Sequence, residues 1–494
     1  MTSLGSQSRL GCFCYLKRAG KAAIQVLGIL AFLCAGLRGG AAPASVRPGE
    51  IIESVPCRRF PGQSYALYLP AAYTPQKKWP IVYAFDPGAQ GVYPVRRYRE
   101  VAEKYGYILA GSNNSQNFLA ADEGAAIEAM LSDTSERLAL DPRRIYTTGF
   151  SGGARVATFV AVRCTDPCSA AGVVASGATY PTNISPSKTD SFLYFMALGD
   201  TDFNYPEVVQ TRLAKERMGS PYRVTMFPGP HHWAPASVFE EAVRWFQIRA
   251  MQAGTIPKDE AFIAEQKEQT LAEAHKAEQA HDSLRQFFAY KSLVEDFQGL
   301  ANTSDVEPKL QSLKSSSGLK KALAREREDA ETQQRLQGEV ASNIARFSEN
   351  PTRFDPEVRD SILSSMSKLK LNGQKLKDES QRRVYQRAFD GLFAQMMEEG
   401  QQRLTVKKFA EALPFFELMA EAAPERAWPP LGIAEARAAM GDHKRALKAV
   451  RQAVNTGRIS AEILGGDRDL APLFADSEFQ KILEELKKQP PKQP

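Results

Sequence analysis

Arg144-Ile145-Tyr146-Thr147-Thr148-Gly149-Phe150-Ser151-Gly152-Gly153-Ala154-Arg155-Val156-Ala157 is the stretch on which the fold turns. A β-branched and aromatic run leads into Gly-x-Ser-x-Gly, and a small-residue segment able to open a helix follows. That is the strand, turn and helix context of a nucleophile elbow. A serine on so sharp a turn has strained backbone angles and needs small neighbours, which is the use of Gly149, Gly152 and Gly153. Its hydroxyl then projects above the sheet edge, at the positive end of a helix. The five residues alone fit a glycine-rich turn with an incidental serine equally well, so the surrounding chain decides.

On either side of this stretch, from Ser45 to Ala253, short apolar runs alternate with helical patterns, the signature of βαβ units and a mostly parallel sheet. Tyr65 to Leu69, Ile81 to Phe85, Tyr107 to Ser112, Ile145 to Gly149, Ala171 to Ser176, Phe192 to Leu198 and Arg223 to Phe227 read as strands. Tyr98 to Tyr105, Glu123 to Leu138, Ala154 to Arg163, Pro206 to Met218 and Ser237 to Met251 read as helices. Ser151 then follows about the fourth or fifth strand, centrally in the sheet.

A serine nucleophile needs a base, because a free hydroxyl is almost wholly protonated near neutral pH. Of the five histidines, His275, His281 and His443 fall in helical segments or a repeat turn outside the α/β region. His231 and His232 remain, in Pro228-Gly229-Pro230-His231-His232-Trp233 directly after the last strand. A histidine pair is also a common surface or metal-binding feature, but no acidic or cysteine neighbour stands at ligand spacing here. The imidazole needs a carboxylate to orient it. Asp200 and Asp202, in Leu198-Gly199-Asp200-Thr201-Asp202-Phe203-Asn204-Tyr205, lie just past a strand, although either also suits a helix cap. Serine, then aspartate, then histidine is the chain order of α/β-hydrolases.

With these residues in view, Tyr65 to Ala250 resembles an α/β-hydrolase of the esterase branch that includes feruloyl esterases, polyhydroxybutyrate depolymerase-like enzymes and dienelactone-hydrolase-like proteins. Asp141-Pro142-Arg143-Arg144-Ile145-Tyr146 is similar to the Asp-x-x-Arg-Ile/Val-Tyr lead-in of that branch. The resemblance implies an acid in a Gly-x-x-Asp turn, mapping onto Gly199 and Asp202, with Asp200 as the fallback. It also implies a histidine in Gly-Gly-His-x-Trp/Pro, mapping onto His231, with Pro230 replacing the second glycine and His232 as the fallback. An oxyanion hole needs two N–H donors. One is expected from Gly152, and the other from the loop Phe85-Asp86-Pro87-Gly88-Ala89-Gln90-Gly91 after an earlier strand. Pro87 has no N–H, which leaves Gly88 or Ala89. Asp86 stands where esterases carry a histidine. Nearby, Gly111-Ser112-Asn113-Asn114 borders the same sheet edge, as a turn or as a substrate contact.

At 494 residues the chain is too long for one core. Residues 1–44 read as a signal peptide or N-terminal anchor. Lys17, Arg18 and Lys21 precede the apolar run Ala22 to Leu37, and Ala42-Pro43-Ala44 supplies a cleavage pattern. The segment carries five of the 63 basic residues and none of the 57 acidic ones. The remainder is therefore close to neutral, and nothing global argues for nucleic acid or an anionic surface. Export, to a periplasm or the exterior, leaves Cys57, Cys164 and Cys168, hence at most one internal bridge and one spare thiol. Membrane attachment is expected only where the first segment is uncleaved.

Past the α/β domain (residues 45–253), residues 254–377 turn to Glu, Lys, Gln, Ala and Arg. Phe262 to Gln298 and Leu319 to Phe347 read there as long amphipathic helices. In residues 378–490, Lys408 to Phe416 is echoed by His443 to Val450, and Ala412 and Ala446 stand at the tetratricopeptide period of 34 residues. Such helices usually present protein-binding surfaces. The whole reads as an α/β-hydrolase followed by an all-α region with tetratricopeptide-like repeats. The expected activity is a serine carboxylesterase on small-molecule or saccharide-linked esters, with Ser151, Asp202 and His231 as the triad and neither cofactor nor metal. The competing readings are a catalytically degenerate hydrolase domain in a repeat scaffold, and a serine peptidase of the same fold.

Overall fold

The computed structural model describes residues 47–117, 120–164 and 168–488, and the signal or anchor read over residues 1–44 lies outside them. The described residues form a single compact unit.

Eight strands make one sheet: β1 (Ile51–Pro56), β2 (Ser64–Tyr68), β3 (Trp79–Phe85), β4 (Ile108–Ser112), β5 (Leu140–Phe150), β6 (Gly172–Ser176), β7 (Leu193–Gly199) and β8 (Tyr222–Phe227). Their order is β1-β2-β4-β3-β5-β6-β7-β8. β1 pairs antiparallel with β2 and β2 antiparallel with β4, and every later pair is parallel. This is the α/β-hydrolase strand order. The central parallel strands are buried on both faces, which is why they read as continuous apolar runs such as Trp-Pro-Ile-Val-Tyr-Ala-Phe in β3. Helices α1 (Val92–Tyr105), α2 (Ala120–Arg137), α3 (Gly152–Arg163) and α4 (Tyr205–Met218) lie between strands, and α5 (Ala236–Gln252) follows β8. One core packs Ala154, Ala157, Val208 and Val209 under one face of the sheet. The other packs Val95, Tyr98, Phe239, Trp245 and Phe246 under the opposite face.

β1 has no counterpart among the strands expected from the sequence. It is an edge strand with a register shift between Ile52 and Val55, and only Val55 is buried, so its apolar alternation is weak. With β1 counted, the elbow follows the fifth strand. Cys164 is bridged to Cys168, and Cys57 is the spare, buried thiol. Burial, with the Asp133 carboxylate beside it, pushes the Cys57 thiol up to about 11.

Helices follow to the end: α6 (Glu260–Gln279), α7 (Ser283–Asp296), α8 (Glu307–Ser315), α9 (Ser317–Glu349), α10 (Pro356–Lys375), α11 (Glu379–Thr405), α12 (Phe409–Ala422), α13 (Trp428–Ala439), α14 (His443–Asn455), α15 (Ala461–Gly466) and α16 (Ser477–Lys487). The expected single helix from Phe262 to Gln298 is two. His281 takes a left-handed φ of 54°, and Asp282 caps α7 by accepting the Arg285 N–H. Without glycine or proline at the break, the apolar period runs through it.

Ala412 in α12 and Ala446 in α14 are both fully buried. α12 packs between α11 and α13 because Phe416 lies against two glycines. A Cβ on Gly400 would stand 2.7 Å from its Cζ, and one on Gly432 would stand 2.6 Å from its Cδ1. At the end of this stack Glu435 of α13 is buried beside Asp467 and Asp469, and burial with those carboxylates raises its carboxyl well above the ordinary value. A carboxyl raised on folding stabilises the fold fully below its unfolded pKa, and that contribution is lost as pH rises through the folded value. Glu435→Gln is therefore expected to raise the thermal midpoint at pH 8, by about 1 °C for each ~1 kcal/mol recovered. At pH 4 variant and wild type should converge, and equal midpoints at both pH values would refute the assignment.

Candidate active site

The end of β5 meets the start of α3 at Ser151, whose φ of 53° and ψ of −121° are unusual for a residue with a side chain. Backbone packing forces this turn. A Cβ on Gly149 would stand 2.6 Å from the Ala154 nitrogen, and one on Gly153 would stand 2.6 Å from the Phe85 carbonyl carbon at the end of β3. Only glycine lets the helix approach the sheet this closely. The Ser151 N–H donates to the Ser176 carbonyl at 2.9 Å, and the Ser151 carbonyl accepts from Ala154 at 3.0 Å. Gly152 and Gly153 stand at the positive end of α3.

His231 and Asp202, the preferred pair from the sequence, are brought together. The Nδ1 of His231 lies 2.9 and 3.0 Å from the two carboxylate oxygens of Asp202. Asp202 is fully buried, and its Oδ1 also accepts the Asn204 N–H at 2.9 Å. The His231 ring is held between Phe150, with centroids 4.6 Å apart, and Phe203, at 4.3 Å. Phe150 immediately precedes Ser151. Gly177, following the residue that receives the Ser151 N–H, has a φ of 68°, and a Cβ there would stand 3.0 Å from the imidazole. The histidine is thus seated against the elbow.

The fallback residues take other places. His232 Nδ1 lies 2.7 Å from the Trp233 carbonyl and its ring packs on Phe227, so no carboxylate orients it. Asp200 Oδ1 accepts the Gly229 N–H at 3.0 Å, while the Asp200 and Thr201 N–H groups donate to Phe227 and Gly229. Its work is to tie the acid turn to the histidine turn.

The loop after β3 differs from expectation. The Gly88 N–H donates to Asp86 Oδ1 at 2.8 Å, and the Ala89 N–H donates to the Asp86 carbonyl at 3.2 Å. Both expected donors are turned onto Asp86, because its carboxylate closes its own turn. The other oxygen of Asp86 accepts the Trp233 indole N–H at 2.9 Å, which latches this loop to the histidine loop. Burial raises the Asp86 carboxyl, and the bonds from Trp233, Gly88 and Gln90 oppose that rise. Asn113 and Asn114 bond to Glu53, Ser64 and Gly62, and so form a turn. Asn117, three residues on, borders the elbow, and no sequence motif marks it. Its N–H donates to the Pro87 carbonyl at 3.0 Å, and its carboxamide lies against Gly152, where any side chain at position 152 would collide with it. Its place after a strand at the sheet's carboxyl edge is the one signal the sequence holds for it.

Strand order and elbow together define an α/β-hydrolase fold, and the histidine–carboxylate pair stands at the carboxyl edge of its sheet. Among solved structures the chain is similar to S-formylglutathione hydrolase from Staphylococcus aureus, with a TM-score of 0.32 and 13% identity over 41% of this chain and 98% of that one. It is also similar to a ferulic acid esterase (TM-score 0.31, 17% identity, 40% of this chain, 95% of that one) and to a thermophilic esterase from Thermogutta terrifontis (0.32, 12%, 40%, 90%). No protein-family model and no curated protein matches the chain. Among the described residues no cluster of His, Cys, Asp or Glu is placed to hold a metal ion, and no helix is long and apolar enough to cross a membrane.

The contacts at Gly153 predict that Gly153→Ala pushes α3 away from β3. The expected cost is about 1–3 kcal/mol, seen as a lower thermal midpoint by circular dichroism. An unchanged midpoint would mean that the elbow tolerates a side chain there.

Proposed function

We propose that the chain is a serine carboxylesterase. The observation that carries this reading is the strained Ser151 at the β5–α3 turn, with His231 packed on the preceding Phe150 and paired with a buried Asp202. In this reading Ser151 Oγ attacks the ester carbonyl carbon and passes its proton to His231 Nε2, while Asp202 holds Nδ1–H and stabilises the imidazolium. The tetrahedral intermediate collapses as His231 returns the proton to the leaving alcohol, giving an acyl-enzyme. Water then repeats the sequence, with His231 again as base, and releases the acid.

The developing oxyanion faces the Gly152 N–H at the start of α3. With the Gly88 and Ala89 donors turned onto Asp86, the Nδ2 of Asn117 is the second donor in this proposal, its carboxamide lying beside Gly152 with Oδ1 the nearer atom. Residues 1–44 act as an export signal in the same reading, and the Cys164–Cys168 bridge supports an oxidising compartment. The substrate class is small or saccharide-linked esters. The segment from Gly177 to Asp190 contributes turns and no helix that would lie over a long acyl chain. The stacked helices α11 to α14 carry the tetratricopeptide-like spacing and are the surface proposed for a protein partner.

Purified mature protein is expected to hydrolyse a short-chain aryl ester and to be labelled at Ser151 by a fluorophosphonate probe. Ser151→Ala and His231→Ala should each lower kcat by about 10⁴–10⁶, while His232→Ala retains most activity. Turnover no faster than Ser151→Ala, with no labelling of folded protein, would sink the reading in favour of a degenerate domain in a scaffold. Asn117→Ala should lower kcat by about 10²–10³ with KM little changed. A smaller loss than tenfold would return the second donor to the loop after β3.

A further inference from the structure

The acid turn, Asp200 to Tyr205, is held from outside the α/β domain. Arg387 of α11 is almost wholly buried, its guanidinium stacked on the Tyr205 ring at 3.8 Å and its Nη1 donating to the Asp200 carbonyl at 3.3 Å. Its Nε has no partner, and no carboxylate among the described residues bonds to it. Burial depresses the pKa of the guanidinium, and the Asp329 and Asp200 charges nearby offset only part of that, so its position on this turn calls for a reason. Gln333 of α9 is fully buried, and its Nε2 donates to the Phe203 carbonyl at 2.6 Å. Gly391, one turn after Arg387, lies between the Gln337 side chain, which a Cβ there would meet first, and Phe203, whose Cβ would stand 3.3 Å away. On its other side Phe203 packs on the His231 ring, and its neighbour Asp202 holds His231 Nδ1. Asp390 of α11 also faces this turn. Burial raises its carboxyl, the neighbouring Arg426 lowers it, and the Asp202 charge adds to the rise.

We infer that the helical region is part of the catalytic unit, with Arg387, Gln333 and Gly391 positioning the acid turn so that Asp202 and Phe203 hold His231 in its working orientation. This rests on the esterase reading for its chemistry, though not for its geometry. Arg387 touches neither the serine nor the imidazole; it acts through Asp200 and Tyr205. The guanidinium both stacks and donates, and a lysine can only donate.

The test compares wild type, Arg387→Lys, Arg387→Met and Gly391→Ala in the full-length mature chain. Arg387→Met should lower kcat by about 10²-fold with KM within a factor of two, as expected when a catalytic group is displaced by about an ångström. The pH profile of kcat/KM should change with it, because the carboxylate that orients the imidazole is no longer held in place. Arg387→Lys should recover part of both effects. In ¹⁵N-histidine NMR, the Nδ1–H signal of His231 should be sheltered from solvent exchange in wild type and lost in Arg387→Met. That signal needs no substrate, so an inactive wild type would count against the esterase reading while the positioning is still decided. A folded Arg387→Met with wild-type kcat, an unmoved pH profile and an intact Nδ1–H signal would overturn the inference. Where Arg387→Met does not fold, Gly391→Ala carries the same readouts, and the same results support or overturn the inference.

Discussion

The close approach of α3 to the sheet is the constraint on which the rest depends. Gly153 sits against the backbone at the end of β3, and Gly149 against the backbone of α3, at distances no side chain allows. That contact leaves Ser151 no ordinary backbone conformation, and its left-handed φ turns the side chain out of the strand. The surrounding core offsets this strain. β5 is central in the sheet, with both faces buried, and its Thr147 and Thr148 hydroxyls bond to the Ala157 and Val174 carbonyls.

Three loops at the carboxyl edge then build the site, and each is fixed by a polar group with two tasks. Asp86 closes the turn after β3 with one oxygen and receives the Trp233 indole with the other. Asp200 joins the turn after β7 to the turn after β8. Asp202 accepts both Asn204 and His231. Arg155, one turn into α3, adds a fourth tie through its paired bonds to Glu207 and its bond to the Tyr180 carbonyl. Such networks hold geometry because each buried polar atom that lost its partner would bear the full cost of desolvation.

The α/β sheet and the elbow are readable in the chain because both rest on local patterns. Buried parallel strands are continuous apolar runs, and a turn this tight admits few residues besides glycine. The edge strand β1 and the break at His281 are not, the first because an edge exposes half its side chains, the second because an aspartate cap without glycine interrupts no apolar period.

Ser151 and the order serine, aspartate, histidine followed from sequence alone, since motif, strand ends and the scarcity of histidines bear on them directly, while the preference for Asp202 and His231 came from the resemblance to the esterase branch. The tertiary structure decided what depends on direction and on distant partners. It gave Asp202 rather than Asp200 to His231, since the two aspartates stand two residues apart on one turn and only their directions separate them. It turned the Gly88 and Ala89 donors onto Asp86, put Asn117 beside Gly152, and laid α11 on the acid turn. Arg387 lies 187 residues from the carbonyl it contacts. A residue's place in the chain carries no trace of such a partner, because the contact exists only once both segments are packed on the same sheet edge.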